Sequence, residues 1–308
     1  MAYVILDGFD LGIGILFPLI EKGEERDTAM NTVAPIWDGN ETWLVLGGGG
    51  LFAAFPLAYA VLMPAVYAPI TAMLLGLVFR GVAFEYRWRD KAHEKYWDAS
   101  FFVGSIVASF AQGVILGTLV QGAWFDWVTP FTILTGVSLV AGYALLGATW
   151  LIVKTEKELQ ARAFRFAKPM ALTVLALIAI VSLCTPLLSP LIADRWFKLP
   201  DMVILLPVPL LTIGSGWMLL KSIKAKHETR PFQYSLLLFL FCFFGLAISL
   251  YPYAVPRAFT IWEAAAPDTS LSFMLAGALV LLPIIFAYTA YAYWVFRGKV
   301  KAGAGYHT

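Results

Sequence analysis

Charged residues are scarce in this sequence. Asp, Glu, Lys and Arg make up 14% of 308 residues, and the formal net charge is only +2. Soluble domains carry about a quarter of their residues as charges. An excess of two positive charges is also too small for a surface that binds nucleic-acid phosphates. The composition therefore excludes a soluble enzyme and a nucleic-acid-binding protein.

Cysteine and histidine are almost missing as well. Cys184 and Cys242 lie in apolar runs and offer neither a disulfide framework nor a CxxC metal site. The three histidines, His93, His227 and His307, lie in predicted loops or the tail. Because a membrane b-type haem usually takes a histidine ligand from within a helix, we expect no haem held by this chain alone. A haem held by Met or carboxylate ligands is the alternative. If this chain belongs to a redox enzyme and binds no haem, a partner carries the redox centre.

Apolar residues, by contrast, make up 60% of the chain and aromatic residues 15%. A spanning helix needs roughly 20 mostly apolar residues. The sequence predicts an all-α polytopic membrane protein with about nine transmembrane helices. The predicted spans are 1–20, 42–62, 64–84, 100–120, 131–153, 169–191, 202–220, 234–253 and 272–296. The stretch 21–41 is too polar to span and is predicted to be a loop or a surface helix.

The distribution of Lys and Arg predicts the orientation. Basic residues cluster after the third, fifth and seventh spans and in the C-terminal tail, whereas the connections after the second, fourth, sixth and eighth spans carry only Arg195, Lys198 and Arg257. Because basic loops stay in the cytoplasm, the N-terminus is predicted outside and the C-terminus inside. Loop 21–41, which would then lie inside with few basic residues, fits this rule least well. We predict one membrane domain, 1–308, in which a basic cytoplasmic linker, 154–168, separates helices of 1–153 from those of 169–296.

Two acids interrupt the first apolar run. Asp7 and Asp10 are three residues apart and share one helical face. An ionised carboxylate inside the membrane is costly unless it is paired, hydrated or protonated. The acids either form part of a proton or ion route, or meet a partner, or lie near the interface for structural reasons. Gly8 and Gly12 beside them have the GxxxG spacing that permits close helix approach.

A second group of polar residues precedes the next apolar run, between two tryptophans. Its members are Trp37, Asp38, Asn40, Glu41 and Trp43. The acids could collect protons from the cytoplasm, or Asp38 or Asn40 could cap the helix. Gly47 to Gly50 follow, and because glycine is unfavourable in a helix we expect tight packing against another helix or a local irregularity there.

Arg80 lies inside the third apolar run, shortly before Glu85 and Arg87. Its side chain could pair with a buried acid such as Asp38, or with a cofactor propionate of a partner. The position alone favours snorkelling of the guanidinium to the cytoplasmic surface.

Three segments together resemble subunit II of the cytochrome bd family of quinol oxidases. They are YVILDGFDLGIG (3–14), NTVAPIWDGNETWLVLGGGGLFAAFP (31–56) and FRGVAFEYR (79–87). The number and spacing of the remaining spans are similar too, so the resemblance covers essentially the whole chain. WDGNETW and FRGVAFE look closest to the cyanide-insensitive branch.

The resemblance implies a fold of two four-helix bundles plus a peripheral helix, in a bacterial or archaeal cytoplasmic membrane. It implies a partner subunit I that carries two b haems and one d-type or b-type haem and oxidises quinol on the outer side. Subunit II lacks the haems, some members hold a structural quinone, and a small accessory single-helix subunit can join the pair. The complex reduces dioxygen to water with cytoplasmic protons.

The resemblance also implies roles for individual residues. Asp38 matches the acid at the cytoplasmic mouth of a proton path, for which Asp7, Asp10 and Glu41 are further candidates, and Trp43 matches an aromatic residue near an apolar dioxygen route. The candidates for subunit contact or structure are Trp37, Gly39, Asn40, Arg80 and Glu85. The family has further residues before YVILDGFD, so we expect the first helix to be truncated here.

Two other functions stay open at this stage. An ion-coupled secondary transporter would use Asp7 and Asp10 at a polar site in the membrane. A pure assembly scaffold would need none of the acids for activity.

Overall fold

The computed structural model of the chain describes residues 1–122 and 126–300. The first helices in chain order are α1 (Ala2–Leu6), α2 (Gly8–Leu16), α3 (Glu24–Asn31), α4 (Trp37–Ala54), α5 (Pro56–Ala65), α6 (Tyr67–Arg89), α7 (Glu94–Gln121) and α8 (Pro130–Lys154). They are followed by α9 (Lys157–Leu188), α10 (Pro190–Phe197), α11 (Asp201–Leu205), α12 (Pro207–Lys224), α13 (Arg230–Leu250), α14 (Ile261–Ala264) and α15 (Asp268–Val295). A small antiparallel hairpin of β1 (Tyr253–Val255) and β2 (Phe259–Thr260) lies between α13 and α14.

Within the described part of the chain, eight helical segments are long and apolar enough to cross a membrane. They are Ala2–Leu19, Tyr67–Arg89, Lys91–Gln121, Pro130–Lys154, Lys157–Leu188, Asp201–Lys224, Arg230–Leu250 and Asp268–Val295. Each corresponds to a predicted span, so the all-α polytopic class is confirmed.

The remaining predicted span, 42–62, is a broken helix pair. α4 ends at Ala54, and α5 begins at Pro56. Proline suits the first position of a helix because its missing N–H would have no partner there, and it cannot continue the preceding helix. The break at Phe55 therefore follows from the sequence, although hydropathy alone predicts one continuous span.

The stretch 154–168, predicted to be a linker, is mostly helical. Only Thr155 and Glu156 separate α8 from α9. The first turns of α9 are rich in Ala, Lys, Glu, Gln and Arg, which are strong helix formers. With 32 residues, α9 is roughly 48 Å long at 1.5 Å per residue and extends beyond the hydrocarbon layer. Its Arg162 pairs with Glu21, at 2.7 Å, on the projecting end.

Small residues bring the core helices together. A Cβ atom on Gly12 would lie 1.9 Å from the carbonyl oxygen of Tyr143, so α2 and α8 are in backbone contact there. The predicted close approach at the GxxxG spacing is confirmed. Gly76 and Gly104 allow a similar contact between α6 and α7. These four helices form a tight core, whereas α15 has no buried residue of its own.

Candidate functional site: a buried cluster of acids and an arginine

The centre of the candidate site is Arg80 on α6, which is 0% exposed. Its Nη1 donates to Oδ1 of Asp7 at 2.7 Å, and its Nη2 donates to Oε1 of Glu41. Arg80 lies nine residues before Arg89, the last residue of α6, which places it about 13 Å along the helix from that end. The prediction that Arg80 snorkels to the surface is therefore wrong. The predicted pairing with a buried acid is confirmed, but the acids are Asp7 and Glu41 rather than Asp38. Two acids from other helices neutralise the guanidinium where it is buried.

Asn40 joins a third acid to this cluster. Its Nδ2 donates to Oδ2 of Asp10 at 2.8 Å and to the carbonyl oxygen of Leu6 at 3.0 Å. Its Oδ1 accepts from the hydroxyl of Tyr293 on α15, at 3.0 Å. The capping hypothesis for Asp38 or Asn40 is wrong, because Ile36 is the N-cap of α4 and no side chain caps that end.

The cluster has more acids than cations. Asp7, Asp10 and Glu41 surround the single guanidinium of Arg80, and both aspartates are 0% exposed. Among the described residues, Oδ2 of Asp7 and Oδ1 of Asp10 have no hydrogen-bond partner. Since an uncompensated carboxylate is costly in a low-dielectric interior, this arrangement favours a bound proton on one of the acids.

The cluster reaches the surface through Glu41. The Glu41 side chain is 25% exposed, whereas that of Arg80 is fully buried. Asp38 is exposed and lies three residues earlier in the first turn of α4, so it occupies the same side of the helix as Glu41. Asp38, Glu41 and the buried aspartates thus run in order from the surface inward.

Aromatic rings surround this group. Trp37 stacks on Phe84 with a centroid separation of 4.9 Å and lies 5.9 Å from the Arg80 guanidinium. Trp43 is buried and packs on Phe286 of α15 at 4.8 Å. Glu85 points away from the cluster, and its half-exposed carboxylate pairs with Arg89 at 3.4 Å.

Helix α4 is open around its glycines. Among the described residues, nothing lies within 4 Å of a Cβ atom added to Gly39, Gly47, Gly48, Gly49 or Gly50. The tight packing expected at Gly47 to Gly50 is therefore not made by the described part of this chain. Gly39, Gly47 and Gly50 lie on one side of α4, and we call this side the glycine face.

A second charge cluster, which the sequence reasoning missed, joins α3, α6 and α7. The guanidinium of Arg87 donates to Asp98 at 2.6 Å, to Asp27 at 2.5 Å and to Glu94 at 2.6 Å. Arg26 pairs with the other oxygen of Asp98 at 2.5 Å. The seven-residue spacing of the two α6 arginines was the available signal, since it places both on one face of the helix.

The described residues do not fit haem ligation by histidine. His93 is exposed just before α7, His227 is exposed between α12 and α13, and His307 lies outside the described residues. Within residues 1–122 and 126–300, no group of three or more His, Cys, Asp and Glu side chains is placed to hold a metal ion.

The fold and the site define an integral-membrane protein with ionisable groups buried between its helices, a feature that marks functional sites in membrane proteins. Residues 1–296 match the family described as cytochrome bd terminal oxidase subunit II. The chain belongs to this family, which confirms the resemblance of its three N-terminal segments.

Individual relatives agree with this assignment. The chain is 28% identical to cytochrome bd-I ubiquinol oxidase subunit 2 of Escherichia coli (strain K12), over 97% of this chain and 92% of that protein. It is 29% identical to cytochrome bd ubiquinol oxidase subunit 2 of Bacillus subtilis (strain 168), over 98% and 93%. A chain in the structure of bd oxidase from Geobacillus thermodenitrificans shares the fold, with a TM-score of 0.75 at 15% identity, covering 96% of this chain and 94% of that one.

Proposed function

We propose that this chain is the haem-free subunit II of a quinol:dioxygen oxidoreductase in a bacterial cytoplasmic membrane. Its partner, subunit I, holds the b and d-type or b-type haems, oxidises quinol and reduces dioxygen to water. The family assignment favours this role over an ion-coupled transporter. The basic loops support an N-terminus outside and a C-terminus in the cytoplasm.

The buried cluster is proposed to take up protons for dioxygen reduction. The observation that carries this proposal is the excess of acids over cations around Arg80, where two carboxylate oxygens have no hydrogen-bond partner among the described residues. Neighbouring carboxylates favour the protonated form of one another, so such a cluster can hold a proton and pass it between its members. Asp38 collects the proton at the surface, Glu41 passes it inward, and Asp7 and Asp10 hold it beside Arg80.

The apolar contact of Trp43 with Phe286 is proposed to border a dioxygen route from the bilayer. Dioxygen is apolar, so a passage lined with rings between α4 and α15 suits it better than a polar one. The Trp43 ring is buried, with its Nε1 unpartnered among the described residues.

The glycine face is proposed as a contact surface for subunit I. Small residues let two membrane helices approach closely, and nothing in the described part of the chain occupies this side of α4. Because α4 also carries Asp38 and Glu41, a partner docked there would lie next to the proposed proton route. Arg80 and Trp37 would then support this surface from within.

The test is proton-coupled turnover of the complete oxidase. Glu41→Gln and Asp10→Asn remove a proton-carrying group while keeping its shape, so we expect quinol-driven oxygen consumption to fall by roughly tenfold or more. Asp38→Asn should slow turnover less, since solvent protons can reach Glu41 directly. Haem absorption spectra should stay nearly unchanged, because the haems lie in subunit I.

The matched control is Glu24→Gln, which neutralises an exposed acid of α3 away from the cluster. It should leave oxygen consumption unchanged. Full activity in Glu41→Gln, Asp10→Asn and Asp38→Asn together would remove the proton role and support a pure scaffold.

A further inference from the structure

A groove on the outside of the helix bundle is separate from the acid cluster. It lies between α1 and α13 and has a volume of about 620 Å³. Its lining residues are Ile5, Arg230, Gln233, Tyr234, Leu236, Leu237 and Leu240. The size is within the range of ligand-binding clefts.

The groove is polar at one end and apolar along the rest. Arg230 and Gln233 occupy the first turn of α13, and both are exposed. The leucines follow on later turns of the same helix, so the polar groups and the apolar wall form one continuous strip. This order matches an amphiphile with a charged head and a hydrocarbon tail.

The charge at the polar end is uncompensated. Arg230 contacts only the His227 ring, at 3.4 Å, and forms no ion pair among the described residues. The nearest acid in sequence, Glu228, is already occupied, since it pairs with Lys299 at 3.0 Å and accepts from Gln160 at 3.3 Å. Lys226 adds a second exposed cation nearby in the chain. The head group that fits this end is therefore an anion.

The length of the groove also indicates what fills it. The ten helical steps from Arg230 to Leu240 rise about 15 Å along α13, which is half of the roughly 30 Å hydrocarbon core. An acyl chain of a single leaflet is therefore long enough to cover this wall with its phosphate level with Arg230.

We infer that this groove binds one anionic phospholipid from the leaflet on the side of the basic loops. Arg230 and Gln233 donate to the phosphate, and an acyl chain packs on Leu236, Leu237, Leu240 and Ile5. The lipid fastens the N-terminal end of the chain to α13 at a place where few protein contacts join them. Basic pockets between transmembrane helices recognise anionic lipids in this way.

The experiment uses the purified oxidase complex, delipidated in mild detergent. Native mass spectrometry then follows the rebinding of phosphatidylglycerol or phosphatidylcholine with identical acyl chains. Wild-type complex should bind one phosphatidylglycerol more tightly than phosphatidylcholine. Arg230→Gln should weaken the binding of phosphatidylglycerol by about fivefold, since one cation near an anionic head group has roughly that effect. The binding of phosphatidylcholine should fall less, because its ammonium group offsets the charge of its phosphate.

Three further variants separate the parts of the site. Arg165→Gln removes an exposed arginine of α9 outside the groove and should change nothing. Arg230→Lys keeps the charge and should retain most of the preference for phosphatidylglycerol. Leu237→Gln places an amide on the apolar wall and should weaken the binding of both phosphatidylglycerol and phosphatidylcholine.

Three outcomes would overturn the inference. Equal phosphatidylglycerol binding by wild type and Arg230→Gln would remove the head-group contact. Equal binding of the two lipids by wild type would show that charge does not matter. Displacement of the lipid by glycerol phosphate at the same concentration would assign the groove to a small soluble anion instead.

Discussion

At the scale of single residues, Arg80 organises the candidate site because one planar guanidinium binds two carboxylates at once. Asp7 and Glu41 come from different helices and accept from different nitrogens of the same group. Lysine carries its charge on one nitrogen and has no such fork, so it reproduces the geometry of both contacts poorly. The buried acids therefore depend on the shape of the arginine as well as on its charge.

The first prediction at this scale concerns stability. Arg80→Gln should destabilise the subunit by about 3–5 kcal/mol, because it leaves two carboxylates without their cation. Arg80→Lys should fall between this variant and wild type. The measurement is the thermal unfolding temperature of the purified complex.

Arg89→Gln is the control for Arg80. It removes an arginine from the same helix, but one whose side chain is 69% exposed, so the unfolding temperature should hardly move. Adding Asp7→Asn to Arg80→Gln should restore part of the lost thermal stability, because one unpaired buried carboxylate is then removed. If Arg80→Gln unfolds at the wild-type temperature, the buried pairing is not what stabilises this region.

At the scale of helices, Arg87 fixes the short surface helix α3 to the core. It pairs with Asp27 of α3 as well as with Asp98 and Glu94 of α7. Helix α3 has only eight residues, fewer than an isolated helix needs for stability in water. These ion pairs are therefore expected to determine how firmly the segment before α4 is held.

Hydrogen exchange tests this role. Arg87→Gln should speed amide exchange in residues 24–31 by roughly tenfold, since local opening no longer breaks the ion pairs of that arginine. Arg89→Gln, two residues away and exposed, should leave the same amides protected. Unchanged protection in Arg87→Gln would mean that apolar contacts, such as those of Ala29 and Met30, hold α3 instead.

At the scale of the whole molecule, the outer surfaces of α4 and α15 are unlike those of a finished assembly. No described residue packs on the glycine face of α4, and no residue of α15 is buried. A membrane helix can face lipid with large apolar side chains, but a run of four glycines offers lipid little surface to pack on. The open side of α4 is better explained by a closely packed partner helix.

Assembly of the complex tests the glycine face. Gly47→Leu should reduce co-purification of subunit I by tenfold or more, because a large side chain would hold the two backbones apart. The matched control is Gly214→Leu on α12, where an added Cβ also meets nothing within 4 Å. Normal assembly of Gly47→Leu would place the interface elsewhere.

The sequence alone determined the number and position of most membrane-spanning helices, because hydrophobic length depends only on neighbouring residues. It also singled out Asp7, Asp10 and Glu41, because charged residues within or beside an apolar run can be recognised from the sequence. Only the tertiary structure decided their partners, since the Asp7–Arg80 contact joins residues 73 positions apart and the Asn40–Tyr293 contact residues 253 apart. Hydropathy carries no information about which face of one helix meets another, and for that reason packing decided that Arg80 turns inward rather than toward the surface.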